Sequence, residues 1–214
     1  MSNNNVFFRL GKYVYHLFSP RKSSRDIQEQ KMRADYEFLR LHGVETELGY
    51  VTLLGKPIIH KYPRSRIIIG KGVTLISETQ YNLAGINHPC VLSTMAEGAE
   101  IVIGDNAGMS GTSVVAVRSV RIGDETLLGA NTNVYDTDFH CIDAIDRIHQ
   151  KSITEASAAP IIIGKRVWVG ANSTILKGVK LGDNVVVGAN SLVNSSMNDN
   201  VVCAGNPAIV RKYL

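Results

Sequence analysis

The stretch IIIGKRVWVGANSTILKGVKLGDNVVVGANSLV, residues 161–193, places an aliphatic residue at every sixth position. Glycine follows most of these aliphatic residues, and small or β-branched residues recur at the fifth position of each unit. The aliphatic positions are Ile163, Val169, Ile175, Leu181, Val187 and Val193. A helix would repeat its apolar positions about every 3.6 residues, so this period excludes an amphipathic helix. It indicates short strands separated by regular bends, which must stack because one strand cannot bury its apolar face alone.

The same aliphatic-glycine step occurs upstream of this stretch. It appears at residues 69–70, 103–104, 122–123 and 128–129. Unrelated strands of a β-sandwich would instead need turn signals at about 8–12-residue spacing. We therefore expect one stacked array that occupies roughly residues 50–210.

Two segments interrupt the period. Residues 136–160 are polar and contain four aspartates and two histidines. A segment of this polarity cannot pack inside a narrow coil, so we expect it to project outward. Projecting loops on rigid scaffolds are where functional sites concentrate. Residues 78–95 are also out of phase, and we expect them to form an irregular coil or a small loop.

A helix is predicted before the array, over residues 21–42, and Gly43 is expected to end it. Its apolar face is predicted to comprise Ile27, Ala34, Phe38 and Leu41. We therefore divide the chain into a mostly helical extension, 1–48, and a β domain, 49–214.

Residues 6–18 form a short amphipathic stretch at the N-terminus. It is too short and too charged to span a bilayer. Two alternatives stay open: it packs against the protein or a neighbouring subunit, or it makes a weak contact with a membrane surface.

Charge and cysteine content exclude some classes of function. The formal net charge is +4, and acidic and basic residues are interspersed, so the chain has no nucleic-acid-binding footprint. The three cysteines, Cys90, Cys141 and Cys203, fit neither a disulfide framework nor a zinc spacing. A reducing compartment, and hence a cytoplasmic location, is the simplest expectation.

The repeat resembles that of the hexapeptide-repeat acyltransferases. Within this family, IGKRVWVGANSTILKGVKLGDNVVVGANS (163–191) and AGNPA (204–208) are most similar to the galactoside, maltose and polysaccharide O-acetyltransferases. The resemblance implies an all-β fold: a left-handed parallel β-helix of hexapeptide repeats with an N-terminal helical segment and a protruding loop at 136–160. It also implies a homotrimer that uses acetyl-CoA as co-substrate and no metal.

His140, in DTDFH (136–140), is the candidate catalytic residue. Transfer of an acyl group to a hydroxyl needs a base, and an imidazole with a pKa of about 6.5 is mostly unprotonated at neutral pH. The resemblance implies that His140 occupies the place of the family's catalytic histidine. Asp138 and Asp143 are both candidates for fixing its tautomer, while His149 is a bystander or an acceptor contact.

The resemblance also implies a polar side chain one coil earlier, near the reacting atoms. Galactoside-type members have asparagine there, and this chain has Ser110, in AGMSGTS. A hydroxyl could stabilise the oxyanion or orient the acceptor. The alternative is that Ser110 is only a corner residue.

The resemblance implies that acetyl-CoA lies in a groove between adjacent coils of two subunits. Ala171 and Ala189 match the family's contact positions, where a small side chain lets the pantetheine arm approach the backbone. Trp168 either flanks this arm or packs at a subunit interface.

The phosphate contacts of the family are only partly matched. Where the family often has Thr-Lys and an arginine after the proline, this chain has Asn194-Ser195 and Ile209. Arg211 and Lys212 remain as candidates for the 3′-phosphate.

The preferred function is O-acetylation of a sugar or polysaccharide hydroxyl. An acetyltransferase acting on serine, on an antibiotic or on an amino sugar is the close alternative. A carbonic anhydrase of the same coil would need three histidines around zinc, and His88, His140 and His149 are the available ones. A non-catalytic scaffold is the third class, which the DTDFH segment disfavours.

Overall fold

Three β-sheets form the walls of a triangular prism in the computed structural model, which describes residues 24–214. The strands are β1 Val51–Leu54, β2 Ile58–Lys61, β3 Arg66–Ile69, β4 Val73–Ile76, β5 Val91–Thr94, β6 Glu100–Ile103, β7 Gly108–Ser110, β8 Ser113–Ala116, β9 Ser119–Ile122, β10 Leu127–Leu128, β11 Asn133–Tyr135, β12 Ile161–Ile163, β13 Trp168–Val169, β14 Thr174–Leu176, β15 Lys180–Leu181, β16 Val186–Val187, β17 Leu192–Val193, β18 Val201–Gly205 and β19 Ala208–Tyr213. The helices are α1 Ser24–Leu41 and α2 Ala144–His149, with 3-10 turns at Thr79–Tyr81 and Ile153–Glu155.

From β1 to β14, each strand pairs in parallel with the strand three places later in the chain. The chain therefore contributes one strand to each of the three sheets in turn. The eight-stranded sheet has the order β1-β4-β7-β10-β13-β16-β18-β19, and its last pair is antiparallel. The six-stranded sheet has the order β17-β14-β11-β8-β5-β2, and the five-stranded sheet β15-β12-β9-β6-β3. We call the bend from the eight- to the six-stranded sheet the first corner, the next bend the second corner, and the bend back the third corner.

The aliphatic positions of the repeat form the core of the prism. All six positions from Ile163 to Val193 are at most 2% exposed. In the six-stranded sheet, for example, Val134 pairs with Val114 on one side and with Ile175 on the other. Burial of such a side chain contributes roughly 1.5–3 kcal/mol, and stacking repeats this gain at each coil.

The corners hold their shape through left-handed backbone positions. At the first corner Asn131, Asn172 and Asn190 have φ between 55° and 59°, a conformation that asparagine tolerates better than most residues. At the third corner, aspartates join one coil to the next. Asp183, for example, accepts a 2.8 Å hydrogen bond from the amide of Lys165. The prism is therefore a stiff support for whatever its corners carry.

Two loops leave the prism at different corners. The early loop, residues 77–90, joins β4 to β5 at the first corner, and the projecting loop, residues 136–160, joins β11 to β12 at the second. The early loop is shorter than the sequence suggested, because Val91–Thr94 forms strand β5 and pairs with β2 and β8.

Helix α1 lies against the first coil with a different face from the predicted one. Leu39 is fully buried, whereas Leu41 is 74% exposed, so the assignment of Leu41 to the buried face was wrong. Asp35 sets this orientation: its carboxylate accepts the amide of Leu53 at 3.1 Å, while Lys31 donates to the Leu53 carbonyl at 2.5 Å. These two bonds fix the helix to β1.

The N-terminal stretch 6–18 and the beginning of the predicted helix lie outside the described residues. Among residues 24–214, neither helix has the length and apolar content that crossing a bilayer demands.

Candidate active site

Asp136 anchors the projecting loop at the point where it leaves β11. Its side chain is fully buried, and its two carboxylate oxygens accept the amides of Val117 and Arg118, each at 2.7 Å. The amide of Ala159 donates to the Asp136 carbonyl at 2.9 Å. Burial raises the pKa of Asp136, although these amide donors oppose the shift. Both limbs of the loop are therefore fastened to the second corner.

Asp138 forms the next fastening, to the following coil. Its Oδ1 atom accepts the ammonium of Lys177 at 2.7 Å, and its backbone amide donates to Ser157 at 3.0 Å. Its Oδ2 atom is buried and has no hydrogen-bond partner among the described residues. Of the two aspartates proposed to orient His140, Asp138 is thus the one that retains an unused buried acceptor.

Asp143 has a different role. It is the N-cap of α2, and its Oδ1 atom accepts the amides of Ile145 and Asp146 at 2.8 and 3.1 Å. These bonds satisfy amides that the helix itself leaves unpaired. The structure therefore uses Asp143 to start the helix.

His140 lies in the first limb of the projecting loop and is exposed in the single chain. Its amide donates to the Asp138 carbonyl at 2.7 Å. The preceding residue, Phe139, has a left-handed φ of 63°, and its ring packs edge-on against Tyr135 with 5.2 Å between the centroids. The backbone before the imidazole thus has an uncommon conformation, and the ring of this residue packs at the end of β11.

Gln150 holds the backbone on both sides of His140. Its side-chain oxygen accepts the amide of Cys141 at 2.8 Å, and its side-chain nitrogen donates to the Phe139 carbonyl at 3.0 Å. The same nitrogen donates to the Ser152 carbonyl at 3.0 Å. One amide group therefore joins the outgoing limb of the loop to its returning limb.

Sequence reasoning missed Gln150 and Lys177. Lys177 occupies a polar position of the repeat, in ILKGV, and looks like any other solvent-facing residue there. Gln150 follows α2 in a polar segment without a motif. No spacing rule could have found them, because each contacts the His140 region only through the folded loop.

Ser110 lies at the first corner, and is 8% exposed. Its carbonyl accepts the amide of Asn131 at 3.0 Å. The projecting loop leaves from the second corner, at the other end of the strands of the six-stranded sheet. Those strands advance about 3.3 Å per residue, so a single chain separates Ser110 from the base of the His140 loop by on the order of 10 Å or more.

Two alanines proposed to contact the donor also lie at the first corner. The coils approach each other closely here: a Cβ atom at Gly129 would lie 2.8 Å from the amide nitrogen of Ala171, and one at Gly170 would lie 2.5 Å from that of Ala189. Trp168 precedes them on β13, and is 57% exposed between Leu127 and Val186 of the neighbouring strands. A peptide-like arm could approach the backbone along this column of small residues.

The remaining donor candidates divide between two places. Asn194 and Ser195 follow β17 at the second corner, and both are exposed. Arg211 and Lys212 lie on β19, at the edge of the eight-stranded sheet, and are exposed as well. In one chain the proposed site residues therefore do not converge: they lie at the first corner, at the second corner and on the edge strand β19 of the eight-stranded sheet.

The histidines considered for zinc are not gathered by the described chain. His88 lies in the early loop, where its Nδ1 atom contacts the Pro89 carbonyl at 2.8 Å, while His140 and His149 lie in the projecting loop. Within residues 24–214 no group of three His, Cys, Asp or Glu side chains is arranged to hold a metal ion.

Comparisons with known proteins agree with the repeat. A family model described as "Hexapeptide repeat of succinyl-transferase" matches residues 160–195. WbbJ of Escherichia coli K12, provisionally named a lipopolysaccharide biosynthesis O-acetyl transferase, is 38% identical over 107 residues, which cover 47% of this chain and 54% of WbbJ. The chain spans about half to two thirds of the length of the first curated relatives it matches.

A longer match extends over most of the chain. Galactoside O-acetyltransferase of Escherichia coli K12 is 31% identical over 163 residues, which cover 74% of this chain and 76% of that protein. Among solved structures, the polySia-specific acetyltransferase NeuO matches with a TM-score of 0.56 and 25% identity, covering 77% of this chain and 66% of NeuO. The predicted left-handed parallel β-helix is confirmed by this likeness together with the three sheets. The chain belongs to the hexapeptide-repeat acetyltransferases.

Proposed function

We propose that this chain transfers the acetyl group of acetyl-CoA to a hydroxyl of a sugar or polysaccharide unit, with His140 as general base. The observation that carries the proposal is the presentation of His140, which is exposed while Gln150 holds both of its neighbours by hydrogen bonds. A base held in this way contributes on the order of 10²–10⁴ to the rate. The names of WbbJ and galactoside O-acetyltransferase support oxygen as the atom that is acetylated.

In this mechanism the imidazole of His140 removes the proton of the acceptor hydroxyl while the oxygen attacks the thioester carbonyl. The new carbon–oxygen bond forms, the carbon–sulfur bond breaks, and the leaving thiolate takes the proton from the imidazolium. The imidazole must turn toward Asp138 for its tautomer to be fixed, and Oδ2 is the acceptor proposed for it, because this buried oxygen has no other partner among the described residues. Its other oxygen stays on Lys177, which holds the carboxylate in place.

The complete site is proposed to form between two subunits. The second corner supplies His140, Asn194 and Ser195, while the first corner of a neighbour supplies Ser110 and the column of small residues with Ala171 and Ala189. A head-to-tail contact of this kind closes into a ring, and we propose a homotrimer. Ile142, Ile145 and Ile148 are 79%, 63% and 75% exposed on the projecting loop and offer an apolar surface for the neighbour.

We propose a cytoplasmic location. The three cysteines are free thiols, and Cys90 and Cys203 are fully buried in the core. These thiols support a reducing compartment.

Thiol release from acetyl-CoA tests the function. The acceptors are galactosides, maltose, sialic acid polymers and capsular polysaccharides, with serine, an aminoglycoside and glucosamine as the rival class. We expect release that depends on a sugar hydroxyl and an acetyl ester in the product, identified by its lability to mild alkali. Release only with serine, or only with an amine to give an alkali-stable amide, would contradict O-acetylation of a sugar.

A further inference from the structure

A cleft of about 620 Å³ opens beside the returning limb of the projecting loop. One wall is formed by the second corner of the first two coils, and the other by the 3-10 turn Ile153–Glu155 with the residue before it. Its lining includes His60, Tyr62, Met95, Glu97, Ser152 and Ile153. No residue proposed for the donor groove or for the proton transfer is part of it.

Hydrogen bonds and apolar packing hold both walls of this cleft. The amide of Tyr62 donates to the Thr94 hydroxyl at 3.1 Å, and its carbonyl accepts the Ser65 hydroxyl at 2.6 Å. On the opposite side Ile153 packs against a small apolar cluster that contains Ala96. The buried hydroxyl groups of Thr94 and Ser65 therefore hold the backbone of Tyr62, while Tyr62 itself is 42% exposed.

The lining has the mixed chemistry that suits a sugar. Pyranose rings present apolar C–H faces, which stack on aromatic rings, and hydroxyls, which both donate and accept hydrogen bonds. Tyr62 and Met95 provide apolar surface, while Ser152, Glu97 and His60 provide donors and acceptors. Glu97 pairs with Arg64, so the carboxylate is oriented at the rim.

The cleft is joined to the candidate base by Gln150. The Ser152 carbonyl, on the wall of the cleft, and the Phe139 carbonyl, beside His140, accept hydrogen bonds from the same nitrogen atom. The returning-limb wall of the cleft is therefore connected through one side chain to the backbone beside His140.

We propose that this cleft binds non-reacting sugar units of an extended glycan acceptor, while the reacting unit lies at His140. The assignment rests on the proposed O-acetyltransferase function. Binding in the cleft makes the enzyme selective for glycan chains over short sugars, because only a chain can occupy the cleft and the position at His140 together.

The test compares acceptors of two lengths in matched pairs: maltose with maltoheptaose, and sialic acid with its α2,8-linked octamer. The variant is Tyr62→Ala, with Tyr62→Trp to restore an aromatic face. Tyr213→Ala, an exposed tyrosine at the other end of the prism, is the matched control. We expect Tyr62→Ala to raise the KM of the long acceptor about 10-fold or more, with kcat, the KM of acetyl-CoA and the KM of the short acceptor unchanged. Tyr62→Trp should recover most of the effect, and Tyr213→Ala should leave the acceptor KM unchanged.

The two proposals fail in different ways. Equal KM values for the long acceptor in wild type and Tyr62→Ala, with turnover intact, would overturn the cleft and leave the function standing. If none of the four sugars is acetylated, titration calorimetry of maltoheptaose and of the sialic acid octamer decides the cleft alone. Binding that Tyr62→Ala abolishes supports it, and no binding, or binding that the variant retains, overturns it.

Discussion

The carbonyl of Phe139, the residue before His140, accepts a 3.0 Å hydrogen bond from the side-chain amide of Gln150. Because the oxygen of the same amide accepts from Cys141, the residue after His140, one side chain fixes the backbone on both sides of the candidate base. This clamp lies within a loop that is itself fastened to the prism at Asp136 and Asp138. The rigidity of the β-helix is thereby extended to a side chain that stands outside it.

Gln150→Ala should lower kcat by about 10-fold to 10²-fold, because a base displaced by about 1 Å loses much of its effect. The KM of acetyl-CoA should stay within about twofold, since the hydrogen bonds of the Gln150 side chain go to Cys141, Phe139 and Ser152 and to none of the donor candidates. Steady-state kinetics with thermal denaturation measures both effects. Gln150→Glu is the partial control, because it keeps the acceptor for Cys141 and loses the two donated bonds. A loss of melting temperature with unchanged kcat would show a purely structural role.

His140→Ala should lower turnover by about 10² or more, because the general base is removed. The oligomer should remain intact, since Asp136, Asp138 and Gln150, and not the imidazole, hold the loop. Thiol release and light scattering measure these two properties. His149→Ala, an exposed histidine of the same loop, is the matched control and should keep most of the activity. Unchanged turnover in His140→Ala would eliminate the assignment.

Mixed oligomers should reveal whether the site is shared. His140→Ala removes the base at the second corner, and Ala189→Phe blocks the column of small residues at the first corner. Each variant alone should be inactive. Equal mixing in a trimer should restore about a quarter of wild-type activity, because about one site in four then combines two intact corners.

Size-exclusion chromatography must first show that each variant forms the same oligomer as wild type. Co-expression of both chains followed by thiol-release kinetics gives the result. Mixed oligomers without activity would contradict the shared site. Either both corners would then act within one chain, or one of the two corners would not belong to the site.

Lys177→Met should destabilise the protein by about 1–3 kcal/mol, because it leaves the half-buried Asp138 carboxylate without its cation. The ion pair measures 2.7 Å, and both side chains are less than a third exposed. Turnover should fall as well, since Asp138 precedes His140 by two residues. Urea denaturation and kinetics are the measurements. Lys177→Arg should restore most of both losses, and an equal loss in Lys177→Arg would contradict a role for the charge.

Asp136→Asn should destabilise the fold by about 1–3 kcal/mol, because an amide can satisfy only one of the two backbone donors at 2.7 Å. The difference in free energy of unfolding between wild type and Asp136→Asn should depend on pH. Burial raises the pKa of Asp136 above its unfolded value, so the stabilising contribution of its protonated form is complete below about pH 3.9 and is lost as the pH rises through the native pKa.

The free energy of unfolding of wild type should therefore exceed that of Asp136→Asn by a growing margin as the pH falls from neutral toward about 4. Urea titrations at a series of pH values measure the difference. A deficit that shrinks on acidification would mean that the amides of Val117 and Arg118 outweigh burial.

Part of the candidate site was predictable because it depends on sequence position alone. The polar break in the period predicted that residues 136–160 leave the coil, and DTDFH singled out His140. The two aspartates near it were indistinguishable by spacing. Only the structure separates them, because Asp143 caps α2 while Asp138 pairs with a lysine 39 residues away.

The six-residue period by itself determined which side chains fill the prism, since alternation in a strand decides what faces inward without reference to distant residues. The tertiary structure alone decided what meets at the corners. It placed Ser110 and the His140 loop at opposite ends of the six-stranded sheet, joined Gln150 to the backbone beside His140, and buried Leu39 instead of Leu41. These outcomes depend on the relative positions of residues in different coils and on how helix α1 packs on the prism. A local repeating pattern contains no information about either.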